Sequence, residues 1–223
     1  MTRILITSGP TRQYIDPIRY LTNASSGRMG ASLAAAAIAV GYEVIVVSGP
    51  VEVDYPTEAR VIPVVSTEEM LVACTAVFPD CDGVIGVAAA CDYRPVTVAP
   101  TKLTKEDLTR GDGAGGEFML RLVETPDIMA ALANQRRDPT PERKSQWMVS
   151  FALETNDHRV HALQKLQRKC SDMIVLNDSS AMNAFDTSVE LIVPGGETVG
   201  KFCGSKAEVA QNIVRMITEK LIS

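Results

Sequence analysis

Short runs of β-branched and other apolar residues, each closed by glycine or proline, alternate along this chain with longer stretches of helical character. One such run covers 3–7 and stops at Ser8-Gly9-Pro10; another covers 43–48 and stops at Gly49-Pro50. A third covers 83–88. Between the first two lie a polar loop, 11–26, and an Ala-rich stretch, 27–40, that predicts a helix stopped by Gly41. A second helix is expected over 67–78, with a Thr cap and with Glu68 and Glu69 in the first turn, where the helix dipole favours acidic groups. Farther along, strands are expected at 118–123, 146–151, 173–176, 189–193 and 198–202, and helices at 127–134, 157–170 and 205–221. Strands alternating with helices predict an α/β fold, a Rossmann-like, doubly wound and mostly parallel sheet closed by a C-terminal hairpin around Gly195-Gly196.

The pattern breaks at 94–117, where prolines, threonines and a charged run precede Gly111, Gly113, Gly115 and Gly116. A stretch this long without periodicity reads as a lid or as a tolerated surface loop. No repeat or boundary divides the rest, so a single domain over 1–223 is expected. The 223 residues are 46% hydrophobic and 22% charged, which excludes a disordered or fibrous chain. A net charge of −5 argues against a broad nucleic-acid surface, so an anionic ligand would need a local positive site. The longest apolar stretch, 33–40, is far shorter than the ~20 residues of a membrane span. A strand beginning at residue 3 leaves no room for a signal peptide. The five cysteines include no Cys-x-x-Cys pair and read as reduced thiols, so a cytoplasmic location is expected.

The first strand–turn–helix unit is where a dinucleotide fold keeps its phosphate site, yet only Gly9 stands at that turn instead of Gly-x-Gly-x-x-Gly. The second strand ends without an acidic residue for a ribose hydroxyl, and no Tyr precedes a Lys by four positions. Nicotinamide redox chemistry therefore fits poorly. The segment Ser25-Ser26-Gly27-Arg28-Met29-Gly30 still offers hydroxyls and free N–H groups at a helix start, suited to an anion. The same residues also read as a simple helix cap. Arg19 and Asn23 just upstream would add a cation and an amide donor, together a clamp for an oxyanion or phosphate.

These residues carry a specific resemblance. Ser8-Gly9-Pro10-Thr11-Arg12, Asp16-Pro17-Ile18-Arg19-Tyr20-Leu21-Thr22-Asn23 and Ser25-Ser26-Gly27-Arg28-Met29-Gly30 resemble phosphopantothenoylcysteine synthetases. The likeness continues through Val47-Ser48-Gly49-Pro50, Ala88-Ala89-Ala90-Cys91-Asp92-Tyr93-Arg94, Pro126-Asp127-Ile128, Phe151-Ala152-Leu153-Glu154-Thr155 and Val175-Leu176-Asn177-Asp178, in order, from residue 3 to about residue 193. It implies a ligase of coenzyme A biosynthesis, here without the flavin-dependent decarboxylase to which it is often fused. The substrates implied are 4′-phosphopantothenate, L-cysteine and a nucleoside triphosphate, CTP in most bacterial members and ATP in others, with Mg2+ on the triphosphate. The resemblance also implies a homodimer with substrate sites near the subunit interface.

Position by position, Asn23 falls on the family residue that holds the acyl-nucleotidylate, and Arg19 on its neighbour that orients anionic groups. Lys102 falls on the first lysine of a Lys-x-Lys-Lys lid motif, written here Lys102-Leu103-Thr104-Lys105, and is tied to turnover. The nucleotide-binding set implied is Ser25, Ser26 and Gly27 with Ala88, Ala89, Ala90, Asp92 and Lys102, then Pro126, Asp127, Ile128 and Met129, and finally Phe151, Lys165 and Lys169. By themselves Lys165 and Lys169, one turn apart and opposite an apolar face of Val160, Leu163, Leu166 and Cys170, also read as a solvated charge stripe, and Phe151 as a core residue. His158 and His161 are assigned to solvent. Thr104 replaces the middle lysine of the lid, whose role is then absent or supplied by another residue, and two further departures weaken the choice of CTP over ATP: Glu124-Thr125 for Lys-Asn ahead of Pro126, and Leu153 for an alanine. The rival readings are a related acid-nucleotidylating ligase and a nucleotide-binding sensor without catalysis.

Overall fold

The computed structural model describes residues 1–105, 107, 118–140, 144–154, 158–178 and 187–222. Six strands form the parallel body of one sheet: β1 (Arg3–Ser8), β4 (Glu43–Ser48), β5 (Arg60–Pro63), β6 (Gly83–Gly86), β9 (Trp147–Glu154) and β10 (Met173–Asp178). The antiparallel pair β11 (Thr187–Ile192) and β12 (Thr198–Gly204) extends it at one edge, giving the order β12-β11-β10-β9-β6-β1-β4-β5. The doubly wound sheet and the C-terminal hairpin of the expectation are both present. Two small ribbons stand apart from this sheet: β2 (Arg12–Tyr14) pairs with β3 (Tyr20–Thr22), and β7 (Tyr93–Pro95) with β8 (Leu122–Glu124), both antiparallel.

Alternate residues of the central strands face opposite layers, as burial on both faces of a parallel sheet requires. Ile4, Ile6, Val44, Val46, Val149 and Val175 pack with α1 (Arg28–Ala39) and α5 (Lys206–Ile217). Leu5, Ile45, Val47, Val84 and Met148 pack instead with α2 (Thr67–Val77) and α3 (Ile128–Ala133). On that second face α4 (His158–Arg168) buries Ala162 and Leu166 against Ala152, Ile174 and Leu176.

Several local readings shift. The cap of α2 is Ser66, one residue earlier than expected, in a reciprocal box with Glu69; α5 carries the same box from Ser205 to Glu208. The loop 11–26 contains the β2–β3 ribbon, and β5 was not foreseen. The strand expected at 118–123 shortens to β8 because its partner, Tyr93–Pro95, is only three residues long. That pairing makes the start of the expected lid at 94–117 one side of a ribbon. Residues 106 and 108–117 of the expected lid lie outside the described residues, as do 155–157 at the expected start of α4. Val160 is exposed rather than part of the apolar face of α4, which runs instead through Ala162, Leu163 and Leu166.

Helix α1 lies close on β1 because Gly30 has no side chain. A Cβ there would stand 2.0 Å from Ser8 Oγ and 2.6 Å from Ser8 Cβ. Gly30→Ala would gain helix propensity, but the overlap has no room to relax beside the fully buried Ser8. The expected net loss is about 1–2 kcal/mol, read by urea denaturation. Unchanged stability would mean that α1 moves off β1 freely.

Candidate active site

Strand β1 lies between β4 and β6, so successive crossovers leave it in opposite directions and open a crevice at the carboxyl ends of β1 and β6. The crevice is stepped. Gly86 ends β6 opposite Ser150, while β9 continues past that pair through Phe151, Ala152, Leu153 and Glu154. Residues 87–92 line this step.

Three hydroxyls shape that loop from beneath. Thr11 Oγ1 accepts from Cys91 N–H at 2.8 Å and lies 2.8 Å from Thr67 Oγ1, while Thr67 Oγ1 donates to Cys91 C=O at 3.2 Å. With the Thr67 proton committed to that carbonyl, Thr11 must donate to Thr67, and the two hydroxyls close a buried ring around the Cys91 residue. Thr125 donates to the same carbonyl, and its N–H bonds Asp92 C=O at 2.9 Å. The neighbouring Ala89 N–H bonds Gly9 C=O at 2.9 Å. Burial pushes the Cys91 thiol above its ordinary pKa, so it sits here as a packing group.

Asn23 closes the loop from above. Its Nδ2 donates to Ala90 C=O at 2.8 Å and to Ala89 C=O at 3.3 Å. Both amide hydrogens are therefore engaged, and donation to an anion requires exchanging the longer bond. Helix α1 starts beside it at Gly27, whose φ of 74° is the left-handed conformation that favours glycine. A hydroxyl relay from Tyr55 through Ser8 to Gly27 C=O holds that start, at 2.8 and 3.4 Å. Neither Ser25 nor Ser26 caps the helix. Ser25 Oγ only accepts from Gly27 N–H at 3.5 Å, so the first-turn N–H groups have no side-chain cap.

On the α3 side of the step, Asp127 caps α3 by accepting from Ala130 N–H at 3.2 Å. It also pairs with Lys169 at 3.3 Å and with Arg168 at 3.9 Å. Lys169 is thus an ion-paired and largely buried cation rather than part of a solvated stripe, and Lys165, one turn earlier, is half-buried. Ile128 and Met129 are buried, with the Met129 side chain packed tightly over Gly86. Phe151, half-buried, belongs to the opposite face with α1 and α5. Asp92 is exposed.

Arg19 and Asn23 do not form one clamp. They sit at opposite ends of the extended strand β3, roughly 13 Å apart along the chain. Arg19 instead bonds Leu103 C=O at 2.5 Å and pairs with Asp16 at 3.5 Å, next to the exposed Lys102. Sequence reasoning passed over Asp16, Thr67 and Thr125 as contributors. Asp16 and Thr125 stood inside motifs already singled out, and Thr67 was read only as a helix cap. Among the described residues no cluster of His, Cys, Asp and Glu is arranged to hold a metal ion, and no helix is long and apolar enough to cross a membrane.

Fold and crevice together define an α/β domain with a Rossmann-like, mostly parallel sheet. Residues 1–221 match the model of the DNA/pantothenate metabolism flavoprotein C-terminal domain, and the chain belongs to that family. It is 40% identical over 218 residues to the Coenzyme A biosynthesis bifunctional protein CoaBC of Vibrio vulnificus (strain YJ016), an alignment covering 96% of this chain and 51% of that protein. It is also 40% identical over 200 residues to CoaBC of Escherichia coli (strain K12), covering 88% and 47%. The chain thus spans about half the length of these relatives. A crystal structure of the C-terminal domain of a CoaBC superposes with a TM-score of 0.79 at 34% identity, covering 99% of this chain and 95% of the other.

The Asp127 carboxyl is pushed up by burial, yet Lys169, the Ala130 N–H and Arg168 bring it net below its ordinary pKa. A lowered folded-state pKa contributes stability above the unfolded value, and that contribution disappears as pH falls through the folded value. Lys169→Met should therefore cost about 0.5–1 kcal/mol at pH 7, with the gap to the parent protein closing below about pH 4. Urea unfolding across this range checks it; a pH-independent gap would make Lys169 a packing residue only.

Proposed function

We propose that this chain is a phosphopantothenate–cysteine ligase of coenzyme A biosynthesis. Its family membership and its likeness to half of two CoaBC proteins support the reading. The observation that carries it is Asn23 drawn onto the Ala89 and Ala90 carbonyls at the carboxyl ends of β1 and β6. A family-matched amide, a shaped loop and an uncapped helix start meet there.

In the proposed reaction the carboxylate of 4′-phosphopantothenate attacks the α-phosphorus of a nucleoside triphosphate and pyrophosphate leaves. The amine of L-cysteine then attacks the carbonyl of the acyl-nucleotidylate, forming the amide and releasing the nucleoside monophosphate. Activation is needed because a free carboxylate has no adequate leaving group. The N–H groups of Gly27 and the first turn of α1, with the hydroxyls of Ser25 and Ser26, receive phosphate oxygens. Asn23 releases its longer bond, to Ala89, and donates to oxygen as charge builds. Ala88, Ala89, Ala90, Asp92 and Phe151 border the nucleoside, while Lys165, Lys169 and the segment from Pro126 to Met129 border its phosphates from the other side of the step. Lys102 and Arg19 bring positive charge to the anionic substrates, and the expected lid that carries Lys102 keeps water from the acyl phosphate. Bound with the triphosphate, Mg2+ would neutralise charge developing on its phosphates. CTP is favoured, with ATP the alternative that Glu124 and Leu153 keep open. A cytoplasmic homodimer completes the proposal.

Pyrophosphate release by the purified chain, with Mg2+, 4′-phosphopantothenate and either CTP or ATP, tests the whole reading. Release should require phosphopantothenate, and amide product should appear on adding cysteine. No release with either nucleotide from folded protein would refute it. Asn23→Ala should fold and bind nucleotide but lose about 100-fold or more in turnover; unimpaired turnover would remove Asn23 from the mechanism. Lys102→Ala should slow turnover with little change in melting temperature, since Lys102 is exposed. A large loss of stability would make it a structural residue.

A further inference from the structure

The segment carrying Lys102 is tied to the turn between β2 and β3 at two places. Ala99 N–H donates to Ile15 C=O at 2.9 Å. At Leu103 the attachment is made by side chains from both directions: Leu103 N–H donates to Asp16 Oδ2 at 3.2 Å, and Arg19 Nη2 donates to Leu103 C=O at 2.5 Å. The two side chains support one another, because Arg19 Nε lies 3.5 Å from the same Asp16 oxygen. The other carboxylate oxygen, Oδ1, accepts from Ile18 N–H and Arg19 N–H, each at 2.8 Å, and so fixes the turn from which Arg19 projects.

The Asp16 side chain is fully buried although its residue type prefers water. Burial pushes the carboxyl up, but its three backbone N–H donors and Arg19 hold it net below the ordinary carboxylate range. The anion is thus the form that this geometry requires: only a carboxylate accepts all three N–H groups and the guanidinium together.

We propose that Asp16 and Arg19 form a clasp on the Leu103 backbone that places Lys102, with Asp16 a positioning residue that never touches substrate. Leu103 is bonded directly to Lys102, and its clasped N–H lies in the peptide joining the two, so the clasp fixes where the Lys102 side chain begins while leaving its ammonium free to meet a phosphate. It also gives Arg19 a task besides orienting anions, in keeping with its distance from Asn23. The consequence for turnover rests on the ligase reading; the clasp itself does not.

The test uses Asp16→Asn, which keeps Oδ1 for the turn but sets an NH2 group against the Leu103 N–H and removes the charge facing Arg19. Hydrogen exchange over 99–105, followed by mass spectrometry without substrates, should quicken about tenfold or more at Leu103. With substrates, kcat should fall about tenfold at nearly constant KM for the nucleotide. In a Lys102→Ala background the same change should add little further loss, since Asp16 acts through Lys102. Unchanged exchange would overturn the clasp. Losses that multiply in the double variant would show that Asp16 acts elsewhere and would overturn the placement of Lys102. If Asp16→Asn fails to fold, Arg19→Gln removes the carbonyl half of the clasp from a partly exposed side chain, and hydrogen exchange over 99–105 without substrates decides: unchanged exchange overturns the clasp. If the unaltered protein releases no pyrophosphate, the ligase reading falls alone, and the clasp stands or falls on exchange.

Discussion

The position of β1 between β4 and β6 is the constraint from which the rest of the structure follows. A parallel strand has to be reached by a crossover over one face of the sheet, and reversing direction at β1 sends α1 and α2 to opposite faces. No crossover then covers the carboxyl ends of β1 and β6. The chain fills the gap with side-chain hydrogen bonds in place of helix. Asn23 and the Thr11–Thr67 pair hold a loop that has no regular structure of its own, and a shaped loop with buried polar groups requires that kind of satisfaction.

An anionic ligand would enter this crevice against a net charge of −5. Local positive charge is supplied in two ways. Lys169 is held in place by Asp127, which at the same time caps α3, so one carboxylate both orients the cation and stabilises the helix beside it. The start of α1 contributes partial charge through backbone N–H groups, which cannot titrate and cost no side-chain entropy to order. The shortness of Gly30 is part of this arrangement, since a larger residue would lift that helix start away from β1.

How much of this was legible depends on range. The helices and parallel strands could be read from sequence because their signals are local: apolar runs, glycine stops, and the Ala-rich stretch that became α1. The β2–β3 and β7–β8 ribbons were not, because three-residue strands with mixed exposure leave no periodicity to detect. At the site, motifs marked Asn23, Asp127 and Lys169, but nothing in the sequence pairs Asp127 with Lys169 or Thr11 with Thr67. Those partners are 42 and 56 positions apart and meet only once the sheet has formed. Reading Arg19 and Asn23 as one clamp failed for a related reason. Four residues are close in sequence, yet in an extended strand they span most of a small ligand.

That separation gives the two residues different places in the fold. Asn23, at the end of β3, works on the loop after β6; Arg19, at the turn before β3, works on the segment after β7. The β2–β3 ribbon therefore acts as a spacer between the crevice and the segment that bears Lys102. Its own footing is firm: Thr22 donates to Thr11 C=O, Arg12 N–H bonds Val65 C=O, and the Arg12 guanidinium stacks 4.6 Å above the Tyr20 ring. A disturbance at the turn reaches Asn23 through this ribbon, which is short and bonded along its length. Loop shape at Ala89–Ala90 and cation placement at Lys102 are thus set by different side chains carried on one ribbon, Asn23 and Arg19.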